Sequence, residues 1–231
     1  MPVYRLTEEI AFPPPELTDH PDGLLAVGGD LRPERLLTAY QMGIFPWYSE
    51  EYKILWWSPD PRLILEPERF HLSKSLEKVI RKKAFDITVD TAFERVVQNC
   101  ASVPRKTESG TWITAAMMDA YCDLHVLGFA HSVETWQDGK LAGGLYGVSL
   151  GRVFFGESMF SSATNASKVA LYYLCVLMKK WNLEFIDCQL PTNHLIRMGA
   201  YEISRDEFLR KLHRAVEYPT IRGNWRNLAV L

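Results

Sequence analysis

The pattern of apolar and polar residues in the second half of the chain predicts three β-strands, each bounded by turn residues. The strands are expected over residues 131–136, 140–148 and 152–160. Between the first two, Asp138-Gly139 is a strong signal for a two-residue hairpin. Gly156, inside the third strand, indicates a bulge or a close backbone approach. The pattern therefore predicts an antiparallel meander.

A longer apolar segment follows the meander. Residues 165–181 carry apolar side chains nearly all round, which predicts a helix that is covered on most sides. Residues 183–189 predict a buried strand, and residues 192–198 predict a short helix. A meander followed by a helix, a strand and a helix is the order found in the GNAT acyltransferase fold, where strands splay apart around an acyl donor. This analogy concerns the fold and carries no function by itself.

The first sixty or so residues differ from the rest, because Pro, Gly and Trp recur there and predict short elements with much irregular backbone. One helix is predicted over residues 33–42, with Pro33 in its first turn and Gly43 just after its end. We therefore predict an α+β protein. A small N-terminal α/β domain is expected over residues 1–62, followed by a larger GNAT-like acyltransferase domain over residues 63–231.

Between the N-terminal domain and the meander, the pattern predicts a helix over residues 73–85, a strand over 86–89, a helix over 91–100, and a helix from Thr114 to near Gly128. The first of these helices can be capped by Ser73 and is basic over most of its surface. Its basic residues are Lys74, Lys78, Arg81, Lys82 and Lys83. In isolation a solvated face is the better interpretation, and a contact with nucleic-acid phosphates is the alternative.

Composition limits the classes of partner. The chain has 231 residues, with 26 basic and 28 acidic side chains and a formal net charge of −2, which excludes binding of nucleic acid through bulk positive charge. The start of the chain has no signal-peptide pattern, and the longest apolar run, 169–178, is far shorter than the roughly 20 residues that span a bilayer. The four cysteines are scattered and predict reduced thiols. We expect a cytoplasmic protein without a membrane partner.

Three polar side chains interrupt otherwise apolar strands. Glu157 lies in Phe154-Phe155-Gly156-Glu157-Ser158-Met159-Phe160, and Asp187 and Gln189 lie in Phe185-Ile186-Asp187-Cys188-Gln189-Leu190. A buried carboxylate is costly unless it is paired or used. Strand alternation predicts that Asp187 and Gln189 share a face. A buried polar network is the structural alternative, but we favour these three residues as the catalytic candidates.

Several cofactor motifs are missing from the sequence. The six histidines form no metal-binding pattern, and there is no Walker loop, G-x-G-x-x-G fingerprint or G-x-S-x-G elbow. GNAT enzymes hold the CoA pyrophosphate with a glycine-containing loop before the main helix. The corresponding residues here, 161–168, contain no glycine. We therefore expect no metal, ATP or CoA.

Long motifs along most of the chain identify a family. They are Gly23-Leu24-Leu25-Ala26-Val27-Gly28-Gly29-Asp30-Leu31, Gly43-Ile44-Phe45-Pro46-Trp47, Trp56-Trp57-Ser58-Pro59-Asp60-Pro61-Arg62, Gly110-Thr111-Trp112-Ile113-Thr114, Gly143-Gly144-Leu145-Tyr146-Gly147, Gly156-Glu157-Ser158-Met159-Phe160-Ser161 and Asp187-Cys188-Gln189. The chain resembles leucyl/phenylalanyl-tRNA–protein transferases. The resemblance implies a bacterial enzyme that moves Leu, Phe or, less well, Met from aminoacyl-tRNA to the N-terminal Arg or Lys of proteins, which marks them for N-end degradation.

The resemblance also implies roles for single residues. Asp187 would polarise Gln189, which would hold the attacking amine, and Glu157 would lie beside the reacting centre. The two carboxylates would also suit a cationic acceptor side chain. An apolar pocket for the donor amino acid would be formed by Leu145, Phe154, Met159, Leu171, Leu174 and Ile186. The family often has Met or Phe where this chain has Leu145 and Leu174, which would alter the preference among donors.

For the tRNA, the resemblance implies contacts with the 3′ end and no DNA partner. Trp47 and Trp112, with Tyr40 nearby, would stack on the terminal adenosine. The basic residues Lys74, Lys78, Arg81, Lys82 and Lys83 would hold the acceptor-stem phosphates. Two alternatives stay open. One is another GNAT-type N-acyltransferase, which uses acyl-CoA or carries aminoacyl groups to a cell-wall precursor. The other is a non-catalytic tRNA-binding protein.

Overall fold

The computed structural model describes residues 3–103 and 113–229. Within these ranges the chain forms a four-stranded and a seven-stranded sheet, together with seven α-helices and three short 3-10 turns. This confirms the α+β class. None of the helices in the described ranges has both the length and the apolar character needed to cross a membrane.

The small sheet comes from the N-terminal part of the chain and has the strand order β1-β2-β4-β3. β1 and β2 are parallel, and the other two pairings are antiparallel. The predicted helix over 33–42 is present as α1, which ends where Gly43 adopts a φ of +73°. The elements are β1 (Tyr4–Leu6), β2 (Leu24–Gly28), α1 (Pro33–Gln41), β3 (Phe45–Pro46) and β4 (Leu55–Trp57).

The large sheet has the strand order β11-β5-β10-β9-β8-β7-β6. Its pairings are antiparallel except between β9 and β10. The strands are β5 (Arg62–Leu65), β6 (Asp86–Val89), β7 (Ala130–Gln137), β8 (Lys140–Leu150), β9 (Val153–Ser161), β10 (Phe185–Gln189) and β11 (Tyr201–Ile203). The helices are α2 (Lys74–Arg81), α3 (Phe93–Ala101), α4 (Ala115–Val126), α5 (Ala166–Trp181), α6 (Asn193–Ile196) and α7 (Arg205–Val216).

Local signals explain most of these boundaries. Asp138 and Gly139 both have positive φ, as a primed two-residue turn requires, and the predicted meander β7-β8-β9 is present. Thr114 and Ser73 each accept a backbone N–H bond from the helix that they precede. The prediction that the helix after Ser73 extends to residue 85 is wrong. It ends at Arg81, and Lys83 has a left-handed φ of 48° that a helix cannot continue.

Helices cover both faces of the large sheet. Along β9, Val153 and Phe155 belong to the core shared with α3, α4 and α7, whereas Phe154 belongs to the core against α5. The same alternation makes Phe185 face one core and Ile186 the other. The first core also contains residues of α1 and the small sheet, so the two sheets share apolar packing. The domain boundary between residues 62 and 63 stays a prediction.

Candidate active site

A cavity of about 400 Å³ opens beside the parallel strands β9 and β10. One wall comes from α5 and the two strands, and another comes from Phe45, Pro46 and Trp47 of the small sheet. Leu190, Thr192, His194 and Leu195 form part of its rim. The cavity therefore lies where the N-terminal part of the chain meets the large sheet.

Irregular strand geometry produces this opening. β10 pairs with β9 through Phe185–Asp187, and its register against β5 then shifts at Gln189, which has a left-handed φ of 56°. β8 shifts register against β9 at Gly147, where an added Cβ would lie 2.1 Å from the carbonyl oxygen of Phe155. Only glycine fits that close approach. The predicted strand irregularity is present, and the two strands separate where polar side chains enter the cavity.

The apolar wall contains the six side chains for which the resemblance implies an amino-acid pocket. They are Leu145, Phe154, Met159, Leu171, Leu174 and Ile186. Leu145, Phe154, Leu171, Leu174 and Ile186 are nearly inaccessible to solvent, and Met159 is partly exposed. Such a surface can take an unbranched, branched or aromatic apolar side chain, because it discriminates by shape and volume alone.

Glu157 lies at the polar edge of the same cavity. Its Oε1 lies 2.8 Å from the hydroxyl of Tyr40 and 3.3 Å from the side-chain nitrogen of Gln189. Its Oε2 lies 2.7 Å from the hydroxyl of Tyr121. Burial raises the pKa of Glu157 to about 7, and nearby Asp187 adds to the rise, against the lowering effect of the two tyrosines and Arg62. Glu157 can therefore exchange a proton near neutral pH.

Asp187 has a different environment. It is fully buried, and its carboxylate accepts two bonds from Arg62, at 2.8 Å from Nε and 2.7 Å from Nη2. Oδ1 also accepts the main-chain N–H of Gln189 at 3.0 Å. The expectation that both carboxylates suit a cationic acceptor is wrong for Asp187. Its charge is already paired with that of Arg62, and its side chain does not line the cavity. Strand alternation is also broken, since Asp187 turns to Arg62 and Gln189 turns to Glu157.

Arg62 was not among the site residues that the sequence suggested. Its guanidinium is 1% exposed, lies between the rings of Phe45 and Phe208, and also donates to the carbonyl of Gly43. Arg62 opens the apolar strand Arg62–Leu65, so the rule that singled out Asp187 would have found it. Tyr121 was missed as well. It lies within α4, and nothing in the helical pattern distinguishes it from a core tyrosine.

The aromatic residues expected at the tRNA end occupy three different situations. Trp47 is partly exposed and lines the cavity, with its ring 5.6 Å from that of Trp57. Tyr40 is only 1% exposed and packs on Phe155. Its predicted stacking on a base is wrong, because no face of the ring is open. Trp112 lies outside the described residues.

The basic residues form an exposed group along α2 and just beyond its end. Lys74, Lys78 and Arg81 belong to the helix, whereas Lys82 and Lys83 follow it. The underside of α2 packs through Leu76 in a small core with Ala166 and Val169 of α5. This core joins the basic group to the first turns of the helix that supplies Leu171 and Leu174 to the cavity.

Two further side chains on the cavity wall could suggest other chemistry. Burial holds the pKa of the Cys188 thiol well above its usual range, so it stays protonated at neutral pH and is a poor nucleophile. Burial, followed by the nearby charge of Lys168, lowers the pKa of His194. Within residues 3–103 and 113–229, no cluster of three or more His, Cys, Asp or Glu side chains is arranged to hold a metal ion.

Comparison with known proteins gives a consistent result along the chain. A family model described as leucyl/phenylalanyl-tRNA protein transferase matches residues 64–213, and a model of the N-terminal domain of the same family matches residues 29–60. A relative from Anaeromyxobacter sp. (strain Fw109-5), named leucyl/phenylalanyl-tRNA--protein transferase, is 59% identical over 97% of this chain and 95% of its own. A relative of the same name from Desulfatibacillum aliphaticivorans is 60% identical over 97% of this chain and 96% of its own.

A solved structure of L-PGS from Bacillus licheniformis is only distantly similar. It aligns with 73% of this chain and 53% of its own at 12% identity, with a TM-score of 0.39. A score of this size supports no conclusion about the fold or the function.

Proposed function

The chain belongs to the leucyl/phenylalanyl-tRNA protein transferase family and is an aminoacyltransferase, and we propose that it moves leucine, phenylalanine and, less well, methionine from tRNA to the N-terminal Arg or Lys of proteins. In this proposal the reaction takes place in the bacterial cytoplasm and marks its products for N-end degradation. One observation carries the proposal most directly: an apolar wall shaped for a side chain meets the Glu157–Gln189 edge within one cavity.

The donor already carries the energy that the reaction needs. The attacking α-amine forms a C–N bond to the ester carbonyl, the ester C–O bond breaks, and the terminal ribose hydroxyl of the tRNA leaves. One proton leaves the nitrogen and one joins the leaving oxygen. The site has to orient the amine, exchange its proton and stabilise the oxyanion that develops on the carbonyl.

We assign the amine contact to Gln189 and Glu157, which meet at the cavity edge. The α-amine has an ordinary pKa of about 7.7–8.0, and burial raises the pKa of Glu157 to about 7. These values are close, so a proton can pass between the two groups without a large energetic step. Asp187 acts as a positioning residue, because its carboxylate accepts the main-chain N–H of Gln189 while Arg62 holds it in place.

The acceptor's cationic side chain is assigned to Glu157 alone, since Asp187 is already paired with Arg62. Trp47 is assigned to the 3′-terminal adenosine, because its ring borders the cavity and keeps partial exposure. Trp112 keeps its place in this proposal through the family resemblance alone. The basic residues Lys74, Lys78, Arg81, Lys82 and Lys83 are assigned to the acceptor-stem phosphates, which a group of exposed cations can hold without base readout.

A transfer assay tests the function. The purified protein is incubated with tRNA carrying labelled leucine and with three peptides that differ only in a first residue of Arg, Lys or Asp. We expect label in the Arg and Lys peptides and none in the Asp peptide. Absence of transfer despite tRNA binding would support the binding-protein alternative. Labelling from an acyl-CoA donor only would support the other acyltransferase alternative.

A pair of glutamine variants tests the assignment of the site. Gln189→Ala is expected to lower the transfer rate about 10²-fold, the low end for losing a group that acts on the reacting atoms. The matched control is Gln98→Ala, because Gln98 is exposed on α3 and its amide bonds only Glu94 within the described contacts. Equal rates in the two variants would remove Gln189 from the proposed mechanism.

A further inference from the structure

Four oxygen atoms from three side chains approach each other in a closed triangle of contacts behind the cavity edge. The hydroxyls of Tyr40 and Tyr121 lie 2.6 Å apart, and each also lies within 2.8 Å of a different oxygen of Glu157. Tyr40 comes from α1, Tyr121 from α4 and Glu157 from β9, and both tyrosines are 1% exposed. Water therefore has little access to the two hydroxyls.

Counting protons shows what the triangle requires. Each tyrosine supplies one O–H, so an ionised Glu157 leaves two protons for three short oxygen–oxygen contacts. In every arrangement of those two protons, one contact brings lone pairs together at 2.6–2.8 Å. A protonated Glu157 supplies the third proton, and all three contacts then become ordinary O–H···O hydrogen bonds.

We propose that Tyr40, Tyr121 and Glu157 form a closed ring of three O–H···O hydrogen bonds in the free enzyme, with the third proton carried by Glu157. In this ring Glu157 donates to one tyrosine and accepts from the other, and its carboxyl group is fixed at the cavity edge. Tyr40 and Tyr121 are thus positioning residues, which have no contact with substrate.

The other charged and titratable groups around the ring are compatible with a neutral Glu157. From β10, Asp187 repels a second negative charge, while Gln189 donates an amide N–H to Oε1 at 3.3 Å. From β5, Arg62 favours ionisation of Glu157, but its guanidinium already binds Asp187 in a bidentate manner. Tyr146 of β8 packs edge-on against Tyr121, and His194 lies across the cavity. Burial, which raises the pKa of Glu157, acts in the same direction as the ring. The two tyrosines lower this pKa only if both act as donors to the carboxylate, which is the arrangement that the ring replaces.

Carboxyl titration by carbon-13 NMR tests the ring in the free protein. The Glu157 signal is assigned by its loss in Glu157→Gln, and its pKa is then compared in wild type and Tyr121→Phe. Because Gln189 and Tyr40 both donate to Oε1, the ring places the Glu157 proton on Oε2, with the Tyr121 hydroxyl as its acceptor. Removing that hydroxyl takes this acceptor away and leaves Tyr40 donating to an ionised carboxylate with no lone-pair contact against it. The ring therefore predicts that the pKa of Glu157 falls, by about one unit.

The opposite result would overturn the ring. If both tyrosines were only donors to a carboxylate, Tyr121→Phe would remove a bond to the charged form, and the pKa of Glu157 would rise or stay unchanged. Tyr40→Phe repeats the test from the other side. Tyr48→Phe is the matched control, because the Tyr48 hydroxyl contacts Thr114 instead of Glu157. Its loss should leave the pKa of Glu157 unchanged.

A second measurement follows the ring into substrate binding and rests on the proposed function. A peptide with an N-terminal Arg brings an ammonium and a guanidinium to the cavity edge, and pairing with either one ionises Glu157 and sends its proton to solvent. Calorimetric titration at pH 6, in buffers of different ionisation enthalpy, should show release of about one proton per peptide bound. Glu157→Gln should show none.

The two proposals can fail separately. Peptide binding without proton release in the wild type would overturn the ring, even though the acceptor class was right. Failure of the Arg peptide to bind at all would count against the proposed acceptor, and the NMR titration of the free protein would still decide the ring.

Discussion

Two carboxylates lie on the neighbouring strands β9 and β10, and their surroundings differ in one respect. Asp187 pairs with the cation of Arg62, whereas the contacts of Glu157 in the described structure come from hydroxyls and an amide. A buried carboxylate that is bound by a fixed cation serves as a structural tie. One held only by neutral groups can gain or lose its proton near pH 7. The charge of the bonded neighbour, more than the depth of burial, decides whether a carboxylate is structural, like Asp187, or reactive, like Glu157.

The largest expected effect comes from removing the cation on the Asp187 side. Arg62→Ala leaves a fully buried carboxylate without its partner and should lower the free energy of unfolding by about 3–5 kcal/mol. Urea denaturation measures this loss. The double variant Arg62→Met with Asp187→Leu removes both charges and should be much more stable than Arg62→Ala. Equal stability of the single and double variants would contradict the assignment of a structural ion pair.

The second effect concerns the pH dependence of stability on the Glu157 side. The pKa of Glu157 is raised from about 4.5 to about 7 on folding, so the folded state binds the extra proton between these values. The contribution of Glu157 to the free energy of unfolding should therefore be greatest below pH 4.5. It should decline as the pH rises to 7 and stay constant above that value. The full span corresponds to about 3 kcal/mol as an upper value.

Thermal unfolding at several pH values compares the wild type with Glu157→Gln. The glutamine variant should lose this part of the pH slope, because its amide can donate and accept in the ring without titrating. An unchanged slope would show that Glu157 titrates alike in the folded and unfolded chain.

A smaller effect is expected in the apolar wall of the same cavity. Leu174→Met changes shape at nearly constant volume and should alter the ratio of phenylalanine to leucine transfer by about 1 kcal/mol, or several-fold. Leu177→Met is the matched control. It is equally buried on α5 but absent from the cavity lining, so it should keep the wild-type ratio.

The smallest effect at ordinary salt is expected from the basic group beside α2. Replacing Lys78, Arg81 and Lys82 together with Ala should weaken tRNA binding. It should also reduce the slope of log affinity against log salt by about 0.9 for each duplex phosphate that the variant no longer neutralises. Filter binding at a series of salt concentrations measures both quantities. An unchanged slope would show that these residues form a solvated face without contact to tRNA. The variant should leave the ion pair of Asp187 and the titration of Glu157 unchanged.

Sequence patterns were sufficient to predict the elements whose signals lie in neighbouring residues. The Asp138-Gly139 turn, the caps at Ser73 and Thr114, and the meander all depend on neighbours along the chain. Sequence patterns did not predict contacts between side chains that are far apart along the chain. Arg62 meets Asp187 across 125 positions, and Tyr40 meets Glu157 across 117, so neither pairing leaves a trace in periodicity.

Glu157, Asp187 and Gln189 could be singled out because polar groups interrupt apolar strands, but their division of roles could not. The register shift and the left-handed φ at Gln189 turn its side chain away from that of Asp187, which simple alternation does not anticipate. The buried position of Tyr40 could not be inferred either, because an aromatic residue in a motif suits a core and a stacking surface equally well.

The guanidinium of Arg62 contacts both walls of the cavity at once. It bonds the carbonyl of Gly43 and packs on Phe45 on one side, and it holds Asp187 and hence the backbone of Gln189 on the other. A ligand that shifts the Phe45–Trp47 wall would therefore change the free energy of whatever binds beside Gln189. By thermodynamic reciprocity the acceptor would change donor affinity by the same factor. The Arg62 side chain thus links the two sides of the cavity through the protein, in addition to the direct contact that the two substrates make when they react.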